Sequence, residues 1–166
     1  KVLLIGINNI PPMVVAKKAY IEIVKDDISS EDAELLILGA AIEADIAELE
    51  DYEERKLFLD DLGLEEAGVS KLIKKAYQLL NLQTYFTAGE KEVRAWTIKK
   101  GMTAPEAAGV IHSDFEKGFI RAEVINYIDY LKYGTESAVK DAGKLMIQGK
   151  DYIPEDGDIM HFRFNV

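Results

Sequence analysis

Residues 111–125, IHSDFEKGFIRAEVI, gather His112, Asp114, Glu116, Lys117 and Arg121 around Gly118. A histidine beside a carboxylate can serve as an oriented general base, the carboxylate fixing the ring while the far nitrogen takes a proton. His112 and Asp114 lie two residues apart at the end of a helical pattern, where a histidine also favours the helix dipole. Capping is therefore the reading, and no catalytic residue is assigned. His161 falls in an alternating strand pattern and reads as a sheet-face or surface residue. No H-E-x-x-H or other metal-ligand spacing surrounds either histidine, so no metal site is expected. Neither G-x-x-x-x-G-K-[ST] nor G-x-G-x-x-G occurs, and G-x-S-x-G is missing too. These 166 residues thus carry no phosphate-binding glycine loop and no serine elbow.

The remaining chemistry is binding. Lys91, Arg94, Trp96, Lys99 and Lys100 fall along one β-rich segment, with Arg94, Trp96 and Ile98 on one face by alternation. A tryptophan among cations can stack on a nucleic-acid base, or it can fill the core of a small sheet. Lys117 and Arg121 would extend such a surface, with Lys140, Lys144 and Lys150 as outlying cations.

Those residues need elements to hold them. Val2–Ile7 reads as a buried strand, NNIPP as the loop that ends it, Met13–Lys25 as a helix, and AELLILGAA as a second strand after the turn DDISSED. That is βαβ alternation, and the opening strand needs neighbours on both sides, so the expectation is a piece of something longer. From Ile42 the pattern is helical until Gly63 stops it, and Gly68–Leu80 follows as a helix with Val69, Leu72, Ile73, Ala76, Tyr77 and Leu80 on one face. LQTYFTAGEKEVRAWTI reads as a hairpin. Thr103 at the N-cap and Glu106 three residues on then form a capping box that starts a helix, with Pro105 in its first turn. After Gly118 comes a strand whose buried face is expected to be Ile120, Ala122 and Val124. Two short helices broken at Gly134, a turn at IPEDGD and a final strand IMHFRF complete the pattern.

Whole-chain quantities narrow the function classes. With 48% hydrophobic residues the chain can bury a core, and with no cysteine it has neither disulfides nor a thiolate zinc site, which suits the cytoplasm. No apolar run approaches a membrane span, so no membrane association is expected. The net charge of −10 is concentrated in residues 1–81, which hold 9 Lys/Arg against 17 Asp/Glu, while residues 82–166 hold 11 against 13. Any RNA contact must therefore come from a local patch in the second half.

NLQTYFTAGEKEVRAWTI, TAPEAAGVIHSDFEKGFIRAEVI and GKDYIPEDGDIMHFRFNV together resemble the C-terminal TGS domain of the YchF / Obg-like ATPase family, continuously from about Asn81 to Val166. GAAIEADIAELEDYEERKLFLDDLGLEE resembles the segment that follows the last strand of that family's nucleotide-binding domain. The resemblance implies an α+β chain: residues 1–80 as the helical and α/β end of a P-loop G domain, and 81–166 as a β-grasp (ubiquitin-like) TGS domain. It also implies a ribosome-associated ATP/GTP hydrolase as parent, using ATP or GTP with Mg, with the phosphate-gripping residues outside this chain. The chain by itself is then expected to be inactive and cofactor-free. On the same resemblance, Asn8 would open the base-recognition motif, and Gly39, Ala40 and Ala41 would flank the base through their backbone. The sequence runs Asn8-Asn9-Ile10-Pro11 where the family commonly has Asn-x-x-Glu. The implied partners are the ribosome, RNA or a translation-related protein, reached through the TGS domain. A protein-only interaction module and a fragment with residual hydrolase activity are the alternatives.

Overall fold

The computed structural model describes residues 2–8, 15–28, 33–89 and 92–165. The chain divides into two compact units, Lys1–Leu80 and Asn81–Val166.

In the first unit, strands β1 (Val2–Asn8) and β2 (Ala33–Gly39) pair in parallel, from Val2 opposite Ala33 to Asn8 opposite Gly39. Parallel neighbours cannot be joined by a tight turn, and helix α1 (Val15–Ile28) makes the crossover. Three further helices follow: α2 (Ala40–Glu48), α3 (Tyr52–Asp61) and α4 (Gly68–Leu79). The single helical stretch expected between Ile42 and Gly63 is thus two helices. The physical reason is Asp51, whose carboxylate accepts from the N–H groups of Glu53 and Glu54 and so starts α3 afresh. Arg55 secures the break by donating through Nη2 to the carbonyl of Leu49 at 2.6 Å.

Helix α4 starts at Ala67, which has no capping side chain. Glu43 on α2 supplies the cap instead, accepting from Gly68 N at 2.7 Å and Val69 N at 3.1 Å. A side chain at position 68 would collide with Leu38 and Glu43, so glycine is what allows this approach. The apolar face read for α4 is half open, since Val69, Ile73 and Leu80 are each more than half exposed.

The second unit is a mixed five-stranded sheet in the order β4-β3-β7-β5-β6, giving the chain an α+β architecture. Strands β3 (Leu82–Ala88) and β4 (Val93–Lys99) form the expected hairpin. Helices α5 (Ala104–Ile111) and α6 (Ser113–Lys117) lead to β5 (Phe119–Ile125). Helices α7 (Tyr127–Tyr133) and α8 (Glu136–Asp141) flank Gly134, whose φ of 78° ends α7 in the left-handed region. Strands β6 (Met146–Gln148) and β7 (Ile159–Phe164) close the unit. β7 lies between β3 and β5, parallel to the first and antiparallel to the second.

Alternation places the two faces in different environments. Tyr85, Ile98, Ala122, Val124 and Met160 pack in a core with Ala104, Ala107 and Ala108 of α5. Three alanines without exposed surface let the helix lie close to the sheet, and the Tyr85 hydroxyl donates to the Ala107 carbonyl at 2.9 Å. Burial raises the Tyr85 pKa, so the phenol keeps this proton. On the other face Ile125, Val139 and Ile159 form a second cluster with Phe86 and Tyr130.

In the second unit the structure corrects the sequence pattern at three further places. A one-turn helix, α6, stands where only a turn is expected, because the His112 ring accepts from Asp114 N and caps it. Ile120 is 55% exposed, not buried, because a register shift between Phe119 and Arg121 breaks the alternation. β6 has no counterpart in the sequence pattern, being three residues long and without a distinctive alternation.

Two outcomes test this packing. A Cβ at Gly118 would run into the backbone of Asn165, whose N–H donates to the Gly118 carbonyl at 2.9 Å, whereas one at Gly149 meets nothing within 4 Å. Gly118→Ala should lower unfolding stability by about 2 kcal/mol in urea titrations, with Gly149→Ala within about 0.5 kcal/mol of the parent. The Glu106 carboxylate accepts from the backbone N–H of Thr103 at 2.6 Å and its hydroxyl at 2.8 Å, which lowers its pKa. A lowered carboxylate stabilises the fold fully above its unfolded pKa, and that gain is lost as pH falls through the folded value. The Tm gap between the parent and Glu106→Gln should therefore be complete at neutral pH and close progressively below about pH 4.

Candidate functional site

The four residues assigned to a nucleotide site meet at one edge of the first unit. Asn8 and Gly39 are paired at the carboxyl ends of the parallel strands, Gly39 is the N-cap of α2, and Ala40 and Ala41 open that helix. The carboxyl edge of parallel strands is where open α/β sheets take ligands. A separate cleft of about 680 Å³ lies among α2, α3 and α4, lined by Ile46, Tyr52 and Leu59 together with Glu43, Arg55 and Glu66. None of the four candidates lines it.

In the second unit the proposed cations and Trp96 do not form one patch. Trp96 packs against the core beneath α5, and its indole N–H donates to Thr87 Oγ1 at 2.9 Å. The Arg94 guanidinium lies 4.3 Å from the ring centroid, a cation–π contact that occupies a face of the indole. A base arriving here would stack on the guanidinium, which offers a flat surface of its own. Lys99 and Lys100 are exposed at the far end of β4, and alternation turns Lys99 to the opposite face from Arg94. Lys91 lies outside the described residues.

Arg121 belongs to that opposite face as well, since its neighbour Ala122 points into the α5 core. Its strand β5 is separated from the hairpin by β7, three strands from the β4 that carries Arg94. Lys117 ends α6, just before Gly118 and β5, and is exposed. The structure adds a residue not singled out from the sequence, Arg163 on β7, directly opposite Arg121. Arg163 grips Glu123 with both arms of its fork, Nε to Oε1 at 3.1 Å and Nη2 to Oε2 at 2.9 Å, and Arg121 Nη2 approaches the same carboxylate at 3.7 Å. The bonds from Arg163 hold Glu123 below the usual carboxylate range, and the same contact raises the Arg163 pKa. A signal for this group is present in the alternation of IMHFRF and FIRAEVI, but their register is not.

The two histidines are both engaged. His112 Nδ1 accepts from Asp114 N at 3.2 Å, so the nitrogen nearest the Asp114 carboxylate serves the α6 cap rather than a base. His161 Nε2 contacts Glu136 Oε1 at 2.9 Å, tying β7 to α8. Among the described residues no group of His, Asp or Glu is arranged to hold a metal ion, and no helix is long and apolar enough to cross a membrane.

Comparison with known proteins places this architecture. The family described as "YchF-GTPase_C: Protein of unknown function (DUF933)" matches residues 82–165. The "Ribosome-binding ATPase YchF" of Haemophilus influenzae is 58% identical over 147 residues, covering 89% of this chain and 40% of that protein. The protein of the same name from Bacillus subtilis is 56% identical over 143 residues, covering 86% of this chain and 39% of its own. The chain thus spans about two fifths of the length of these curated relatives. A solved structure, that of the Schizosaccharomyces pombe YchF GTPase, matches with a TM-score of 0.75 at 41% identity, covering 87% of this chain and 38% of that one. With the family match extending over half of its residues, the whole mixed sheet included, the chain belongs to the YchF family.

Proposed function

We propose that this chain is the docking portion of a ribosome-associated YchF-type ATP/GTP hydrolase. Residues 1–80 are then the end of a nucleotide-binding G domain, with Asn8, Gly39, Ala40 and Ala41 as the base-facing remnant of its site. Residues 81–166 are a β-grasp TGS domain that engages the ribosome. The observation that carries this reading is the identity to proteins named as ribosome-binding ATPases. Two features support its parts. The first and last strands of the second unit, β3 and β7, lie parallel in the middle of a mixed sheet with α5 across one face, the arrangement of ubiquitin-like folds. In the first unit the base-facing candidates line up at the carboxyl edge of a parallel strand pair.

Nucleotide hydrolysis needs a cradle for the phosphates and Mg, and the 166 residues contain no glycine loop of that kind. Hydrolysis therefore belongs to a longer parent. ATP or GTP with Mg would be held there, while Asn8 and the Gly39–Ala41 backbone contribute only to the base side. His112 and Asp114, committed to a helix cap, offer no substitute chemistry.

Incubated with ATP and Mg, the chain should release no phosphate above background, and His112→Ala should leave the trace unchanged. Turnover that disappears in His112→Ala would point instead to a residual hydrolase. In sedimentation with ribosomes, Arg94→Glu or Lys117→Glu should weaken association. Binding should also fall steeply with salt, and each cation removed from a phosphate should make the log–log slope shallower by roughly 1. Association that ignores salt would favour a protein-only surface.

A further inference from the structure

We infer that the end of the sheet formed by β7, β5 and β6, centred on Arg121 and Arg163, is a phosphate-binding surface through which this domain contacts RNA. The inference rests on the ribosome-docking reading and assigns a face and a chemistry to it. Arg121 and Arg163 face each other across adjacent antiparallel strands, their side chains 51% and 58% exposed. Two like charges directly opposite one another repel, and such a pair persists only with something to hold it. Glu123 does so from below: its side chain is 18% exposed, it takes the Arg163 fork, and it lies within reach of Arg121.

One carboxylate between two guanidiniums leaves a surplus positive charge, with further N–H donors on each arginine that Glu123 does not engage. Both arginines stand on strands, and the Arg163 fork is already held by its two bonds to Glu123, so less of its side-chain freedom remains to be lost when an anion arrives. Lys117 stands just before Gly118 at this end of β5, on α6, whose Phe115 packs with the α5 core on the other face of the sheet. β6 runs past its Ala122–Gln148 pair toward the exposed Lys150. Of the carboxylates nearby, Glu123 lies under the arginines and Glu136 meets His161, while Glu116 on α6 and Asp151 beside Lys150 are exposed. In a chain of net charge −10, two guanidiniums opposite one another over a single carboxylate make a local positive site, the kind that meets phosphates of a nucleic-acid strand. Arg94 differs, lying on the opposite face and already held over Trp96.

The test uses the full chain and a fluorescein-labelled RNA hairpin, with anisotropy titrations over a range of salt, alongside sedimentation with intact ribosomes. Arg121→Gln combined with Arg163→Gln should weaken hairpin binding about tenfold or more at low salt and flatten the salt slope by roughly 0.7 to 0.9 for each arginine that had neutralised a phosphate. Arg94→Gln should change both less. In the unaltered chain, adding the hairpin should shift the Nε–H NMR signals of Arg121 and Arg163, a readout that holds even if the double variant folds poorly. Unshifted signals, or hairpin binding by a folded double variant with parental affinity and slope, overturn the inference. If the double variant loses ribosomes but binds the hairpin as before, the surface docks protein, and the inference falls while the ribosome reading stands. If the parent chain binds neither ribosomes nor hairpin, both fall together.

Discussion

The second unit depends on seating β7 between β3 and β5. The β3–β7 contact is parallel and registers through a single pair, Phe86 with Ile159, so the ladder alone is a weak determinant of where the strand lies. The turn before β7 carries the specification. Asp156 accepts from Thr84 N at 2.8 Å, Gly157 N donates to the Thr84 carbonyl at 2.7 Å, and Phe86 N donates to the Asp158 carbonyl at 2.7 Å. Gln83, itself buried, donates to the Pro154 carbonyl at 2.7 Å. Each bond joins positions some seventy residues apart, and buried polar groups left without such partners cost about 1–3 kcal/mol apiece. Asp158, almost fully buried, also shapes the turn from within by accepting from Glu155 N and the Tyr152 hydroxyl.

Once β7 is in place, the rest of the domain has few choices. Met160 and Phe162 fall toward α5, and the alanine face of that helix brings it close enough for Tyr85 to reach a helix carbonyl. Ile159 falls toward α7 and α8 and seeds the second cluster. The same alternation carries Arg163 out beside Arg121, so the strand that closes the fold also completes the charged group on its surface. Position in the sheet and surface chemistry are consequences of one register.

The electrostatics of the chain are governed by placement more than by totals. The second unit is close to neutral by count, yet its cations are distributed on two faces of a sheet, one group resting on an indole and the other on a shared carboxylate. In the acidic first unit, Glu43 is spent on the amide groups at the start of α4, an internal use that its position among other acids would not suggest. Charges that look equivalent along the chain are therefore not equivalent in space.

Local signals are strong enough to specify many elements without any tertiary information. The Thr103–Glu106 box, Gly134 between two short helices, and the hairpin of β3 and β4 are written in residues whose preferred backbone geometry and nearest partners are a few positions away. The division of the helical stretch at Asp51 is equally local in cause, but hidden by apolar spacing that continues across it. What only the tertiary structure decided is whatever depends on register between distant segments. Ile120 reads as buried when alternation is counted through a bulge that arises only in pairing with β7. Lys117 and Arg121 join Arg94 and Trp96 in the linear sequence because it does not say which face of a sheet two separate strands share. The cap on α4 comes from Glu43, 25 residues earlier, and the partner of Arg121 is Arg163, far along the chain on another strand. Backbone preference acts over one or two turns of chain, while side-chain partnership across a sheet is settled by folding.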